Sequence, residues 1–241
     1  MNQLLNLDAL KLIESLPDQS VNLVLTDIPY GLNNKKSAQV TMPDGYKSIR
    51  AEWDHDILID WMHAALPKLT PGGLFIVFCG QIATYLVGAE AVRHNWKVIN
   101  DLTWEKPDAP PCMTGRMMTM TTERALVICP SGSHWTYNLD VAKSQNGGVN
   151  FRDVWRINTV HGRDRKGHPT QKPLVMFERL IQLYSCPGDV IVDPFCGSGT
   201  TALAALRTGR NYICGDLSAE YLAIAQERLN EAYTPLLEGI S

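Results

Sequence analysis

Short apolar runs and stretches of helical spacing take turns along the chain, the pattern of strands covered on both faces by helices. Residues 2–7 open as a strand. Asp8 then precedes residues 9–16, where Leu10, Ile13 and Leu16 recur at near-helical spacing, so Asp8 is the expected N-cap of a short helix. Pro17-Asp18-Gln19-Ser20 turns into the apolar run 21–26. Leu58, Trp61, Met62, Ala65 and Leu69 predict a helix over 56–69, and Pro71-Gly72-Gly73 a turn into strand 74–79. That strand is too uniformly apolar for a sheet with one wet face. A helix over 81–94 and strands over 97–104 and 124–129 follow. The region after residue 172 is the most regular: helix 173–185, strand 190–192, helix 202–208, strand 211–215, then an amphipathic helix behind Ser218 with Leu222, Ala225 and Leu229 inward. Strands alternating with helices predict an α/β fold around a mixed, mostly parallel sheet with helices on both faces.

Composition narrows the class. The 241 residues, 45% hydrophobic and 20% charged, suit one large globular domain. Six cysteines (79, 112, 129, 186, 196, 214) include no Cys-x-x-Cys pair, so neither a metal site nor a disulfide framework is expected, and free thiols suggest a reducing compartment. Asp8, Lys11, Glu14 and Asp18 fall within the first 20 residues, so no signal peptide is expected there, and no apolar run reaches membrane-spanning length. A net charge of −3 does not announce a nucleic-acid binder, so any basic surface must be local. Two segments qualify. Residues 31–52 carry Lys35, Lys36, Lys47 and Arg50 against Asp44 and Glu52. Residues 150–172 carry Arg152, Arg156, Arg163, Arg165, Lys166 and Lys172 against Asp153 and Asp164, with Trp155, His161 and His168 among them. Each is either a phosphate-contact surface or an ordinary solvated loop. The stretch 105–123 has no clean period; its Cys112 reads as structural and its methionines as adaptable packing.

Two stretches carry chemistry. Asp27-Ile28-Pro29-Tyr30 ends a buried strand, the edge where open α/β sheets bind ligands. There a carboxylate can accept from an amino group and a ring can stack on a flat heterocycle. The second stretch is strand 190–192, the turn Asp193-Pro194-Phe195-Cys196-Gly197-Ser198-Gly199-Thr200-Thr201, a helix, strand 211–215 and Asp216. Glycines admit a ligand to the backbone, and an acid 17 residues beyond Gly199 suits a ribose diol. No lysine follows the second glycine and Ala202 stands in the third glycine's place, so nothing is dedicated to phosphate. S-adenosylmethionine fits at least as well as NAD.

Together with His168-Pro169-Thr170-Gln171-Lys172-Pro173, these motifs resemble the β-type S-adenosylmethionine-dependent DNA amino-methyltransferases, over nearly the whole chain. The resemblance implies a Rossmann-like class I methyltransferase fold with a circularly permuted motif order, catalytic half first. It implies a single domain over 1–241 with a small inserted target-recognition region near 105–165. S-adenosylmethionine would be held by Asp8 at the adenine, Asp216 at the ribose, Asp193, Phe195, Gly197, Ser198, Gly199 and Thr200 at the methionine part, and Thr170 and Lys172 at its carboxylate, with Ala9, His168 and Leu217 also among its contacts. Asp27, Ile28, Pro29 and Tyr30 would hold the target base. Lys35, Lys36, Arg152, Arg156, Arg163, Arg165 and Lys166 would meet double-stranded DNA. The tetrad departs from the family's usual pattern, with Ile28 where proline is common; its carbonyl is retained. Asp27 at the head leans toward adenine N6, with cytosine N4 open. RNA or protein glutamine as substrate, an NAD-type oxidoreductase and an inactive DNA-binding relative are the rival readings. A cytoplasmic prokaryotic or phage-encoded enzyme is expected, without metal or membrane, and a homodimer is compatible with the family.

Overall fold

The computed structural model describes residues 2–29, 59–112, 115–130, 132, 134–162, 165 and 171–238. Eight strands form one sheet: β1 (Asn2–Leu5), β2 (Val21–Asp27), β3 (Leu69–Cys79), β4 (Lys97–Glu105), β5 (Thr122–Cys129), β6 (Val154–Arg156), β7 (Val190–Asp193) and β8 (Asn211–Gly215). Their spatial order is β1-β8-β7-β2-β3-β5-β4-β6. The first five in that order run parallel, β5 is antiparallel to both neighbours, and β6 is parallel to β4. The sheet is mixed and mostly parallel, as the apolar runs predict.

Alternation within the strands divides the core. Leu23, Leu25, Leu74, Ile76 and Phe78 face one side, under α4 (Leu139–Gln145), α5 (Leu174–Tyr184), α6 (Thr200–Arg207) and α7 (Ala219–Glu238). Val24, Phe75 and Val77 face the other, under α1 (Ala9–Glu14), α2 (Asp60–Ala65) and α3 (Gln81–Arg93). Stacked rings of Phe78 and Phe177, 5.1 Å apart, join sheet to α5. On the other face Trp61 of α2 meets Phe75 edge-on at 5.7 Å. His63 of α2 bonds Glu90 of α3 at 2.7 Å, and that bond, ahead of burial, holds the Glu90 carboxyl below its usual value.

Several sequence expectations need correction. Pro71-Gly72-Gly73 does not precede β3 but forms a bulge within it, because Val21 pairs with Leu69 and Leu23 already pairs with Leu74. Gly72 has φ +81°, and a Cβ there would lie 2.0 Å from the His134 carbonyl oxygen. The expected helix 56–69 is α2 followed by a 3-10 turn, Leu66–Lys68; Pro67 fits an opening position of that turn, not the interior of an α-helix. Residues 56–58 lie outside the described residues. α4 and the three-residue β6 were not legible, being too short for a period. Trp155 was grouped with exposed basic residues but is only 6% exposed and belongs to the core, with the Arg179 guanidinium 4.8 Å from its ring. Met62 and Met176 pack, whereas Met117, Met118 and Met120 stand in solvent.

Truncating the largest of the fully buried side chains tests the α2 face: Trp61→Ala should cost about 3–5 kcal/mol. Urea unfolding should show a lower midpoint with an unchanged m-value.

Candidate active site

Asp27 and the glycine turn come together at one edge of the sheet. β2 and β7 are neighbours, pairing Leu23 with Ile191 and Val24 with Val192. The helix next described after β2, α2, packs on one face of the sheet, and the helix after β7, α6, packs on the other. Connections diverging to opposite faces open a cleft at the carboxyl ends of the two strands. Asp27 and Asp193 are the last residues of those strands.

Asp193 is buried, and three donors converge on it. Thr26 Oγ1 donates to Oδ1 at 2.6 Å, Phe195 N to the same oxygen at 3.0 Å, and Thr201 Oγ1 to Oδ2 at 2.5 Å. Burial pushes its carboxyl up to about 7, against the pull of those donors. Thus Asp193 ties β2, the turn and α6 together from inside.

The turn is shaped for close approach. Gly197 and Gly199 have φ of +49° and +77°. A Cβ on Gly199 would lie 2.5 Å from the Ala225 Cβ of α7, so the glycine also lets α7 pack against the turn. Asp216, just past β8, accepts from Gly197 N at 2.9 Å and Ser218 N at 2.8 Å. Burial raises its carboxyl while those two amides lower it. Ser218 Oγ accepts from Tyr221 N at 3.2 Å, the expected cap of α7. From α7, buried Arg228 donates to the Ser198 carbonyl at 2.5 Å, Ser198 Oγ at 3.1 Å and Thr200 Oγ1 at 3.3 Å. Ser198 and Thr200 are therefore held first by the protein itself.

β1 completes the rim beside β8, with Leu5 opposite Gly215. Asp8 caps α1 as expected, accepting from Leu10 N at 3.0 Å, and Ala9 is buried behind it. Asn6 Nδ2 donates to the carbonyls of Asp216 and Leu217, at 2.9 and 3.0 Å, and the Leu217 side chain is exposed.

Asp27, Ile28 and Pro29 sit at the other lip. Ile28 is 2% exposed, its side chain in the α2 face of the core, and its N–H donates to the Phe78 carbonyl at 3.3 Å. Proline has no N–H for that bond, so isoleucine extends the β2–β3 ladder by one residue. Pro29 is buried. Lys172, also buried, pairs with Asp27, lies 3.3 Å from Glu123 of β5, and Glu123 in turn pairs with Lys106 at 2.9 Å. Burial works against the Lys172 charge, but Asp27 and Glu123 overcome it and hold the ammonium above the ordinary lysine range. Four charges thus alternate in sign from Lys106 to Asp27.

Arg156 ends β6 opposite Glu105, at the same sheet edge as Asp27, and is exposed. Arg152 is exposed two residues before β6. Arg165 is half-buried, its N–H on the Gly162 carbonyl at 3.2 Å. Tyr30, Lys35, Lys36, Arg163, Lys166, His168 and Thr170 lie outside the described residues. A cavity of about 410 Å³ opens elsewhere, lined by Trp135, Tyr137, Phe151 and Tyr184; of the candidate residues only Arg152 borders it.

Sequence reasoning missed Thr26, Thr201, Arg228, Lys106 and Glu123. A threonine closing an apolar run was a usable signal for Thr26. Arg228 lies three residues after inward-facing Ala225, so its helical phase was another. Nothing local marked Glu123.

Comparisons with known proteins agree with this geometry. A family model for N6/N4 methyltransferases, described as DNA methylase, matches residues 21–227. The chain is 32% identical to the type II methyltransferase M2.LlaDCHI of Lactococcus lactis subsp. cremoris, covering 96% of this chain and 90% of the relative. It is likewise 32% identical to the type II methyltransferase M2.DpnII of Streptococcus pneumoniae, covering 94% and 88%. Among solved structures, the M1.HpyAVI–SAM complex superposes with a TM-score of 0.72 at 27% identity, covering 95% of this chain and all of that one. PvuII DNA methyltransferase (cytosine-N4-specific) gives 0.73 at 20% identity, a likeness of fold.

The raised Asp193 carboxyl has a sign that can be measured. The folded chain keeps a proton that the unfolded chain releases near the ordinary value of 3.8. The stabilisation this group provides is therefore complete below that value and is lost as pH rises through about 7. Asp193→Asn, which mimics the protonated form, should flatten that part of the curve of unfolding free energy against pH.

Proposed function

The chain belongs to the DNA methylase family of N6/N4 amino-methyltransferases, and from that premise we propose that it is a site-specific DNA methyltransferase. It transfers a methyl group from S-adenosylmethionine to the exocyclic amino group of a base, adenine N6 in the first place. The supporting observation is the convergence of Asp27 and the glycine turn on one crevice, bridged by the bond between Thr26 and Asp193.

The donor set fits the cofactor. Gly197 and Gly199 leave the turn without side chains. The carboxylates of Asp8 and Asp216, at the ends of neighbouring strands, suit amine and hydroxyl donors. Arg228 is engaged behind the turn by Ser198 and Thr200 instead of standing ready for phosphate. Asp8, the turn residues Phe195–Thr200 and Asp216 would hold the nucleoside and its methionine tail. When bound, S-adenosylmethionine supplies an electrophilic methyl group on a positively charged sulfur.

The protein's own work lies in positioning. An exocyclic amino nitrogen is a poor nucleophile because its lone pair is delocalised into the ring. Asp27 and the Ile28 carbonyl accept hydrogen bonds from that group and favour a pyramidal nitrogen whose lone pair is available. Asp27 is also the acceptor at hand for the proton the nitrogen gives up. For this to happen Lys172 must yield an oxygen of Asp27, and Glu123 keeps the ammonium partnered as it does so. An amino group inside a duplex is paired, so the base must leave the stack to reach the crevice. Residues 105–165 are proposed as the target-recognition part of a single domain. No described helix is long and apolar enough to cross a membrane. The compared relatives are bacterial, and the reaction is proposed for the cytoplasm, where bacterial DNA lies.

Incubation with labelled S-adenosylmethionine and unmethylated genomic DNA, followed by mass analysis of nucleosides, should yield N6-methyladenine. Asp27→Ala should lower kcat by roughly 10²-fold or more. N4-methylcytosine instead would change the base, and no methyl group in DNA would sink the reading. Glu123→Gln should raise KM for DNA about tenfold, the effect of one hydrogen bond to a charge, with cofactor affinity unchanged by equilibrium binding.

A further inference from the structure

The β4–β5 hairpin ends at the active edge of the sheet. Glu105 pairs with Thr122, and Lys106 N donates to the Thr121 carbonyl at 2.7 Å, closing the loop that joins them. One residue beyond Thr122 stands Glu123, whose side chain reaches Lys172 and through it Asp27. The loop therefore hangs beside the crevice.

Its exposed residues are unusual. Met118 is 90% exposed, Met117 59% and Met120 61%. Large apolar side chains so exposed, three within four positions, leave a contiguous apolar tip. The tip is braced. Thr119 Oγ1 accepts from Cys112 N at 3.1 Å across its base. Asp108, near the start of the loop, accepts from Thr159 N at 3.0 Å, Thr159 Oγ1 at 2.9 Å and His161 Nε2 at 2.6 Å. Those bonds, the Thr159 amide first, draw the Asp108 carboxyl down to about 2. The loop is staked to the 157–161 segment while its methionines point away from the core.

Removing a base from a duplex leaves a gap a base wide in the stack. An unbranched, polarisable side chain fills such an irregular space without steric cost, and methionine is among the apolar residues that proteins insert between bases. We propose that Met118, flanked by Met117 and Met120, is the wedge that enters the DNA stack and occupies the place of the extruded base. This rests on the DNA methyltransferase reading and extends it: Asp27 receives the base, and Met118 keeps it from returning. Met118 is a positioning residue, since it touches the neighbouring base pairs and not the reacting atoms.

The test uses the full chain and an oligonucleotide duplex bearing the sequence found methylated in genomic DNA. A second duplex is identical but carries an abasic site opposite the target base, so that unpairing is already done. Met118→Ala should lower single-turnover methylation of the matched duplex by ~10- to 100-fold, as the stacking disruption it supports is worth a few kcal/mol. The abasic duplex should recover most of that loss, and Met118→Leu should stay near wild type on both. With 2-aminopurine at the target position, the wild-type chain should brighten the matched duplex and Met118→Ala should not. Matched-duplex rates unchanged in Met117→Ala/Met118→Ala, or a loss that the abasic duplex does not recover, would overturn the wedge. Methylation of neither duplex by the wild-type chain would instead overturn the reading beneath it.

Discussion

One buried carboxylate joins the two halves of the site. Asp193 sits where a charge or an unmet polar group costs several kcal/mol, and donors from β2, the turn and α6 meet it there. The consequence reaches Asp27, because Thr26, which donates to Asp193, is its immediate neighbour in the chain. Alternation along β2 turns Thr26 toward β7's carboxylate and brings Asp27 to the strand end. Shifting β2 against β7 by one residue would undo both.

Asp27 is paired with a cation of the protein itself. Lys172 lies between Asp27 and Glu123, and Lys106 balances Glu123 from the far side. A buried ammonium needs partners, so neither carboxylate can give it up without the other remaining. Asp27 and Glu123 are thereby linked through one side chain.

The same economy appears behind the glycine turn. Arg228 and Ala225 of α7 reach the turn from one helix: the arginine binds Ser198 and Thr200, and the alanine occupies space that any side chain at position 199 would need. Ser218, the cap of α7, donates its N–H to Asp216 two residues before it, so that acid and the helix bracing the turn are tied to each other.

Much of this was legible beforehand because periodicity records which side of an element is buried. The apolar runs of β2, β3, β7 and β8 and the helical spacing of α3, α5 and α7 each match an element in the structure. Asp8 and Ser218 cap the helices assigned to them. What failed was short or irregular: the bulge in β3, the two turns of α4, the three residues of β6, and Trp155, whose charged neighbours hid its place in the core. What only the tertiary structure decided is partnership. Thr26 finds Asp193 across 167 residues of chain and Lys172 finds Asp27 across 145. A residue's own neighbourhood in sequence encodes whether it is inside or outside. Which distant side chain meets it depends on which strands lie side by side, and that order is set by packing over the whole sheet.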